Sequence, residues 1–99
     1  MSGPENKLVA KIIKAVRARE GCWIRKIHGN VYTSGIPDLL CCQGGEFFAF
    51  EVKAPGKKCE GTPLQEAEIT KIHRAGGRAL VVNSVEQVLD VLDAALEGY

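Results

Sequence analysis

Two carboxylates and a lysine lie where a short hairpin would bring them together. Asp38 opens one apolar run, Gly44-Gly45 supplies a chain reversal, and a second apolar run ends in Glu51-Val52-Lys53. In an antiparallel hairpin turned at those glycines, the start of the first strand lies against the end of the second, so Asp38 is level with Glu51. Glu51 and Lys53 share one face and stand roughly 6.6 Å apart along the strand, at about 3.3 Å per residue. We expect these three groups to surround one phosphate.

The residue types favour metal-assisted hydrolysis of a phosphodiester. Mg²⁺ and Mn²⁺ prefer hard oxygen ligands and take one or two carboxylates plus waters. Asp38 and Glu51 offer those carboxylates, and the Lys53 ammonium can position a nucleophilic water or neutralise charge that develops on the phosphate. The alternative is a structural salt-bridge cluster. That alternative leaves unexplained why charges end an otherwise apolar strand beside a basic loop.

The distribution of charge is more informative than its total. The formal net charge of the 99 residues is only +1, and the acidic residues concentrate near the C-terminus. The first two-thirds of the chain are therefore more basic than the total suggests, which allows a local phosphate-binding face, although a charged helical stripe is equally typical of solvated surface. The candidate DNA-binding residues are Lys7, Lys11, Lys14, Ser34, Lys57 and Lys58.

Length and composition are typical of one globular domain spanning residues 1–99. Hydrophobic residues make up 45% and charged residues 25% of the chain, and no stretch approaches a transmembrane span. The N-terminus lacks the apolar segment of a secretory signal. We therefore expect a cytoplasmic protein without a membrane role.

The cysteines form no spacing typical of a zinc finger. Cys41 and Cys42 are adjacent in a predicted strand, so they point to opposite faces and cannot both hold one zinc ion with a histidine at the usual spacing. His28 and His73 complete no pattern. A small zinc protein stays an alternative, but buried reduced thiols explain the cysteines more simply. The four are Cys22, Cys41, Cys42 and Cys59.

Hydrophobic periodicity and capping signals predict the element order αβββαβα. The predicted helices cover residues 4–19, 62–75 and the segment from Ser84 onward, whose apolar stripe runs from Val85 to Leu96. The predicted strands cover residues 22–27, 38–42, 47–53 and 78–83. A turn at 28–30, a polar loop at 31–35 and a flexible basic loop at 54–61 connect them. The apolar second and third strands imply helices on both faces of the sheet, and the fourth strand should run parallel to the third.

Two polar residues lie at predicted helix N-termini, where capping competes with catalysis. Glu5 falls on the inward stripe of the first helix, yet Ser2-x-x-Glu5 also matches a capping box. Gln65 is the last residue of a Thr62-x-x-Gln65 box. On these residues alone, capping explains both positions at least as well as a catalytic role.

The order αβββαβ, with Asp38 opening the second strand and Glu51-Val52-Lys53 closing the third, resembles the PD-(D/E)xK nuclease superfamily. Nearly the whole chain is similar to the VRR-NUC family, the virus-type replication-repair nucleases. That similarity is carried by Gly35-Ile36-Pro37-Asp38-Leu39, Phe50-Glu51-Val52-Lys53, Gln65 and Gly76-Gly77. The resemblance implies an α/β fold with a restriction-endonuclease-like αβββαβ core, in which helices flank a mixed four-stranded sheet, and a C-terminal helix.

The resemblance also implies roles for individual residues. Asp38, Glu51 and the backbone carbonyl of Val52 would hold Mg²⁺ or Mn²⁺, with Lys53 orienting or activating the attacking water. Gln65 matches a helix glutamine of the family. Glu5 matches an acid on the first helix of related junction-resolving nucleases, where it contributes to the metal site directly or through water. The implied catalytic residues are Asp38, Glu51, Lys53, Gln65 and Glu5.

The function that follows is a metal-dependent DNA endonuclease. The resemblance implies selectivity for branched DNA such as a Holliday junction, in replication, repair or recombination in a bacterial or phage-infected cell. One small domain carries one site, so paired cuts on opposite strands predict a homodimer. The alternative is a nuclease-like module that has lost activity and binds DNA or assembles with partners.

Overall fold

The computed structural model describes residues 3–28 and 34–98, which form three helices around one four-stranded sheet. The elements are α1 (Pro4–Arg17), β1 (Cys22–Lys26), β2 (Leu39–Gln43), β3 (Glu46–Val52), α2 (Pro63–Arg74), β4 (Arg78–Val82) and α3 (Val85–Leu96). The strands lie in the order β1-β2-β3-β4, antiparallel except that β4 runs parallel to β3. This confirms the predicted element order and mixed sheet. Ser2 and the turn and loop residues at 29–33 lie outside the described residues.

The main hydrophobic core lies between one face of the sheet and helices α1 and α3. Phe48, Phe50 and Val52 alternate along β3 onto this face and are fully buried. Ile12 of α1 and Leu92 of α3 close the core from the other side. Because side chains alternate along a strand, the residues between them, including Glu51, face the opposite side of the sheet.

Helix α2 covers only part of that opposite face. It packs on β4, and Ile69 joins Ala49 and Ala79 in a smaller apolar cluster. Beyond this cluster, Trp23 of β1 and Phe47 of β3 are 50% and 42% exposed. The predicted cover on both faces is therefore correct near β4 and wrong near β1 and the hairpin turn.

Two predictions about burial at other positions are also wrong. Leu96 is the last residue of α3, a full turn beyond the buried Leu92, and is 66% exposed. Of the thiols, only Cys41 is buried, where desolvation raises its pKa to about 12, while Cys59 is exposed on a loop. Cys42 lies on the face of β2 opposite to that of Cys41, as predicted.

A polar cluster around the buried Gln43 side chain joins four elements. The Gln43 side chain donates through Nε2 to the carbonyl of Leu92 (2.9 Å) and accepts at Oε1 from Arg19 Nη2 (3.2 Å) and Cys22 Sγ (3.3 Å). Arg19 also pairs with Asp93 Oδ1 at 2.8 Å. This cluster ties the C-terminal end of α1 and the start of β1 to β2 and α3.

The helix starts differ in how they are capped. Thr62 and Gln65 form the predicted capping box of α2, and Ser84 Oγ accepts from the backbone of Gln87 in α3. Helix α1 begins instead after an N-cap Gly3 that makes no side-chain capping bond, and Ser2 of the predicted Ser2-x-x-Glu5 box lies outside the described residues. None of the helices in the described part of the chain has the length and apolar character needed to span a membrane.

Candidate active site

Asp38 directly precedes β2 and is held from both neighbouring strands. Its backbone carbonyl accepts a hydrogen bond from the Ile27 amide at 2.7 Å. Its side-chain Oδ2 accepts one from the Val52 amide at 2.8 Å. Pro37, just before it, is fully buried and has a fixed φ. The Asp38 carboxylate is therefore oriented before any ligand binds.

The hairpin turn sets which residue faces Asp38. Gln43 pairs with Glu46 across a two-residue loop, and Gly44 and Gly45 have φ values of 58° and 82°, as a type I′ turn requires. With Leu39 opposite Phe50, the next step along the hairpin places Asp38 opposite Glu51. The predicted convergence of the two carboxylates is confirmed.

Glu51 is the buried acid of this pair. Only 4% of its surface is exposed. Its pKa is raised to about 8, first by burial, then by the negative charge of Asp38 and by a hydrogen bond to it, while Lys53 opposes the shift. Two acids in a desolvated space resist double ionisation. The site therefore retains a proton at neutral pH unless a cation takes its place.

Lys53 lies between Glu51 and the start of α2. Its Nζ is 3.8 Å from Glu51 Oε2 and donates to Gln65 Oε1 at 3.2 Å. The same Gln65 oxygen accepts from the Thr62 amide at 2.9 Å, and the Gln65 amide donates to Thr62 Oγ1 at 3.3 Å. Gln65 thus caps α2 and holds the lysine at once, so the two explanations of this residue are compatible.

Glu5 continues the predicted stripe of α1 beyond its buried part. All of residues 4–7 are exposed and burial begins at Leu8, so Glu5 itself is not buried. Its charge still contributes to the raised pKa of Glu51, as the smallest of the causes. The first turn of α1 is therefore within electrostatic range of the site.

The candidate DNA-binding lysines are all exposed. They lie along α1 and on the loop between β3 and α2, and Ser34 is exposed in the turn before Asp38. The basic loop is more constrained than predicted, because Asn83 Nδ2 donates to the Lys57 carbonyl at 2.7 Å. Val82 pairs with Val52, so Asn83 follows level with Lys53 at the end of the parallel strand. Its position just after a buried strand is the signal that could have identified it.

Gly35, in the turn before Asp38, packs closely against the first turn of α2. Its φ is +85°, and a Cβ atom there would lie 2.8 Å from the carbonyl oxygen of Leu64. Only glycine allows both this backbone conformation and this approach. Asp38 and Gln65, on separate elements, are thereby kept in a fixed relation.

Comparison with known proteins gives structural matches alone. No family model matches the sequence, and no curated protein matches it significantly. A solved structure described as a VRR_NUC domain superposes with a TM-score of 0.74 and 27% identity over 99% of both chains. The chain adopts the VRR_NUC fold. Another structure, a VRR_NUC domain protein, gives a TM-score of 0.73 and 18% identity over 95% of this chain and 88% of its own. The family resemblance identified from the sequence is confirmed.

Asp38 and Glu51 are the candidate ligands for a metal ion in this VRR_NUC fold. Within residues 3–28 and 34–98, no group of three or more His, Cys, Asp or Glu side chains is arranged to hold one. Mg²⁺ needs fewer, since it is typically bound by one or two carboxylates and keeps several waters. Asp38 and Glu51 meet that need, and the Val52 carbonyl points toward β2 because its amide does. These oxygens fit a hard divalent cation.

Proposed function

We propose that the chain is a metal-dependent DNA endonuclease that hydrolyses phosphodiester bonds, with residues 1–99 acting as one nuclease domain. The observation that carries the proposal is the meeting of Asp38 with the buried Glu51, whose pKa is raised, with Lys53 beside them. Adjacent acids, one of them with a strongly shifted pKa, next to a lysine are typical of a site that takes a cation and an anionic substrate together. The VRR_NUC fold of the chain supports the same function.

Asp38, Glu51 and the Val52 carbonyl would hold the ion. When bound, Mg²⁺ or Mn²⁺ supplies a Lewis acid that polarises the phosphodiester and lowers the pKa of water. Lys53 positions the nucleophilic water and offsets negative charge that develops on the phosphate. Gln65 keeps the Lys53 ammonium aimed at this space through the 3.2 Å hydrogen bond.

The remaining predicted residues act on the substrate and the outer part of the site. Glu5, exposed at the start of α1, contributes negative charge and would hold the ion directly or through a water. The exposed lysines of α1 and of the basic loop, with Ser34, bind the DNA backbone.

The substrate we propose is branched DNA, such as a four-way junction, in replication, repair or recombination. A homodimer would bring two sites to opposite strands and would double a phosphate-binding surface that is small in one copy. The place of action would be the cytoplasm of a bacterial or phage-infected cell.

Plasmid cleavage tests the catalytic proposal. We expect cutting with Mg²⁺ or Mn²⁺ and none with EDTA, and loss of cutting in Asp38→Asn, which keeps the shape of the side chain but removes its charge. Asp90→Asn is the matched control, because Asp90 is an exposed acid on α3, far along the chain from the hairpin. Full activity in Asp38→Asn, or cutting in EDTA, would exclude the assignment. An intact fold that binds DNA and never cuts it would favour the inactive binding module.

A further inference from the structure

A cavity of about 370 Å³ lies at the outer edge of the sheet, where α1 ends beside β1. Its size falls in the range of ligand pockets, roughly 300 to 1,000 Å³. The lining residues are Arg17, Cys22, Trp23, Ile24 and Arg25. Trp23 is the only tryptophan in the chain, and half of its surface is exposed. Because α2 covers only the β4 side of the sheet, this indole is left uncovered.

The cavity is basic as well as aromatic. Trp23 and Arg25 are two residues apart in β1 and so share a face, with Ile24 between them turned into the core. Arg17 approaches from the C-terminal end of α1. Within the described residues, neither arginine forms an ion pair with an acidic side chain, and no acid lines the cavity. An exposed indole with two arginines on the same cavity is complementary to a base and its flanking phosphates.

The register of the sheet relates this cavity to the candidate active site. Trp23 pairs with Cys42, and Asp38 lies four residues from Cys42 toward the start of β2. All three side chains point to the same face, since strand side chains repeat every second residue. The separation along β2 is roughly 13 Å at about 3.3 Å per residue. A DNA strand covers that distance in about four nucleotides at the duplex rise of roughly 3.4 Å, and in fewer when extended.

We propose that Trp23, with Arg17 and Arg25 on the same cavity, stacks an unpaired base of the DNA strand whose scissile phosphate lies at the candidate active site beside Lys53. The inference rests on the proposed function, because it takes DNA as the partner. An indole can stack on any exposed base, whereas the bases of a duplex present no free face. The subsite would therefore select DNA that has a single-stranded segment within a few nucleotides of the cut bond. A second copy of the chain fits this edge poorly, because a twofold axis there would bring like charges together.

Binding without cleavage is measured directly through the single tryptophan. In EDTA, a short single-stranded oligonucleotide is titrated into the protein while indole emission is followed with excitation beyond the tyrosine absorption. We expect quenching by the single strand and much less by a duplex of the same sequence. Unchanged emission with saturating single strand would overturn the proposal. So would emission that shifts with protein concentration alone and ignores DNA, since a second copy would then cover Trp23.

Variants test the same contact with a labelled oligonucleotide and fluorescence anisotropy. Trp23→Ala should weaken single-strand binding by about 5- to 150-fold, the range of one lost base stack, and Trp23→Phe should keep most of the affinity. Arg25→Gln should lower the slope of log affinity against log salt by about 0.7, the value for one phosphate contact on a single strand. Leu96→Ala, which also truncates an exposed apolar residue, is the control. Equal affinity in Trp23→Ala and Leu96→Ala would overturn the proposal.

The result can be separated from that of the cleavage assay. Quenching in EDTA, with no cutting under any metal, would support the base-stacking subsite and count against the endonuclease. Cutting with Mg²⁺ or Mn²⁺, with no quenching by single-stranded DNA, would support the endonuclease and remove the subsite.

Discussion

Glu51 is the most buried ionisable residue of the candidate site. Its carboxyl group is buried against Asp38, and Lys53, 3.8 Å away, offsets the negative charge of the two acids. Ionisation of Glu51 therefore destabilises the metal-free protein, whereas a bound cation would remove that penalty. Metal affinity and folding stability should both depend on this one proton.

The first prediction concerns the pH dependence of stability without metal. The folded pKa of Glu51 is about 8, against an ordinary value of 4.5, so the folded state holds the proton more tightly than the unfolded chain. The resulting stabilisation is complete below about pH 4.5 and is lost as the pH rises to about 8. Thermal melts in EDTA should therefore show a falling Tm across this window, and Glu51→Gln should flatten that fall. An identical slope in Glu51→Gln would contradict the assignment.

The second prediction concerns Lys53. Lys53→Ala should reduce single-turnover cleavage much more than metal affinity, because an ammonium group stabilises the transition state and cannot ligate a cation. Calorimetric titration with Mn²⁺ and single-turnover kinetics measure the two quantities separately. Lys58→Ala, on the exposed basic loop, controls for loss of one positive charge near the site. A variant that binds Mn²⁺ poorly but cuts at the normal rate would mean that Lys53 has another role.

At the scale of the elements, the start of α2 is a functional part of the site. The Gln65 oxygen that completes the capping box also accepts from Lys53. The loss of the box should therefore affect two properties that are usually independent, the stability of a helix and the position of a catalytic ammonium group.

The third prediction separates these effects with a pair of cap variants. Thr62→Ala and Ser84→Ala each remove a hydroxyl that accepts from the third residue of a helix, at the start of α2 and of α3. Each should cost about 1 kcal/mol of unfolding free energy. Only Thr62→Ala should also lower the cleavage rate, because only α2 holds Lys53. Denaturant unfolding and cleavage kinetics measure the two effects. Equal activity in both variants would mean that the Thr62 hydroxyl is not needed to hold Gln65 against Lys53.

The elements themselves were predictable because their signals are local. The glycine pair of the hairpin, the capping box of α2 and the apolar stripe of α1 each depend on residues close together in sequence. The convergence of Asp38 with Glu51 followed from the turn alone.

The contacts that complete the site depend on packing between distant segments. The sequence carries no local sign that the Val52 amide binds Asp38. The position of Asn83 after a strand marks the residue, but not the Lys57 carbonyl as its partner. Hydrophobic periodicity also could not predict how much of each face of the sheet the helices cover. A strand with apolar residues on both faces predicts two covering layers, but not that α2 packs on β4 and leaves Trp23 uncovered.

At the scale of the whole molecule, the proposed dimer is the fourth prediction. Light scattering at micromolar concentration should give a complex with the mass of one four-way junction plus two chains, and junctions should be cut in preference to plain duplex. The reason is that one site cannot cut two strands symmetrically. A monomer on DNA, or equal cutting of both substrates, would contradict it.

The Gly44-Gly45 turn has a further consequence for how this chain tolerates change. The space around both glycines is empty to 4 Å, and exposed turns of this kind are ordinarily the places where insertions and deletions accumulate harmlessly. This turn is different, because its length fixes the pairing of the two strands that carry the acids. Suppose that one residue were inserted into the turn and shifted that pairing by one position. Asp38 would then no longer face Glu51, and every side chain of one strand would turn to the other face. The two residues of the turn can thus be replaced by others that adopt a positive φ. The number of residues in the turn cannot change, because it keeps Asp38 opposite Glu51 at the other end of the hairpin.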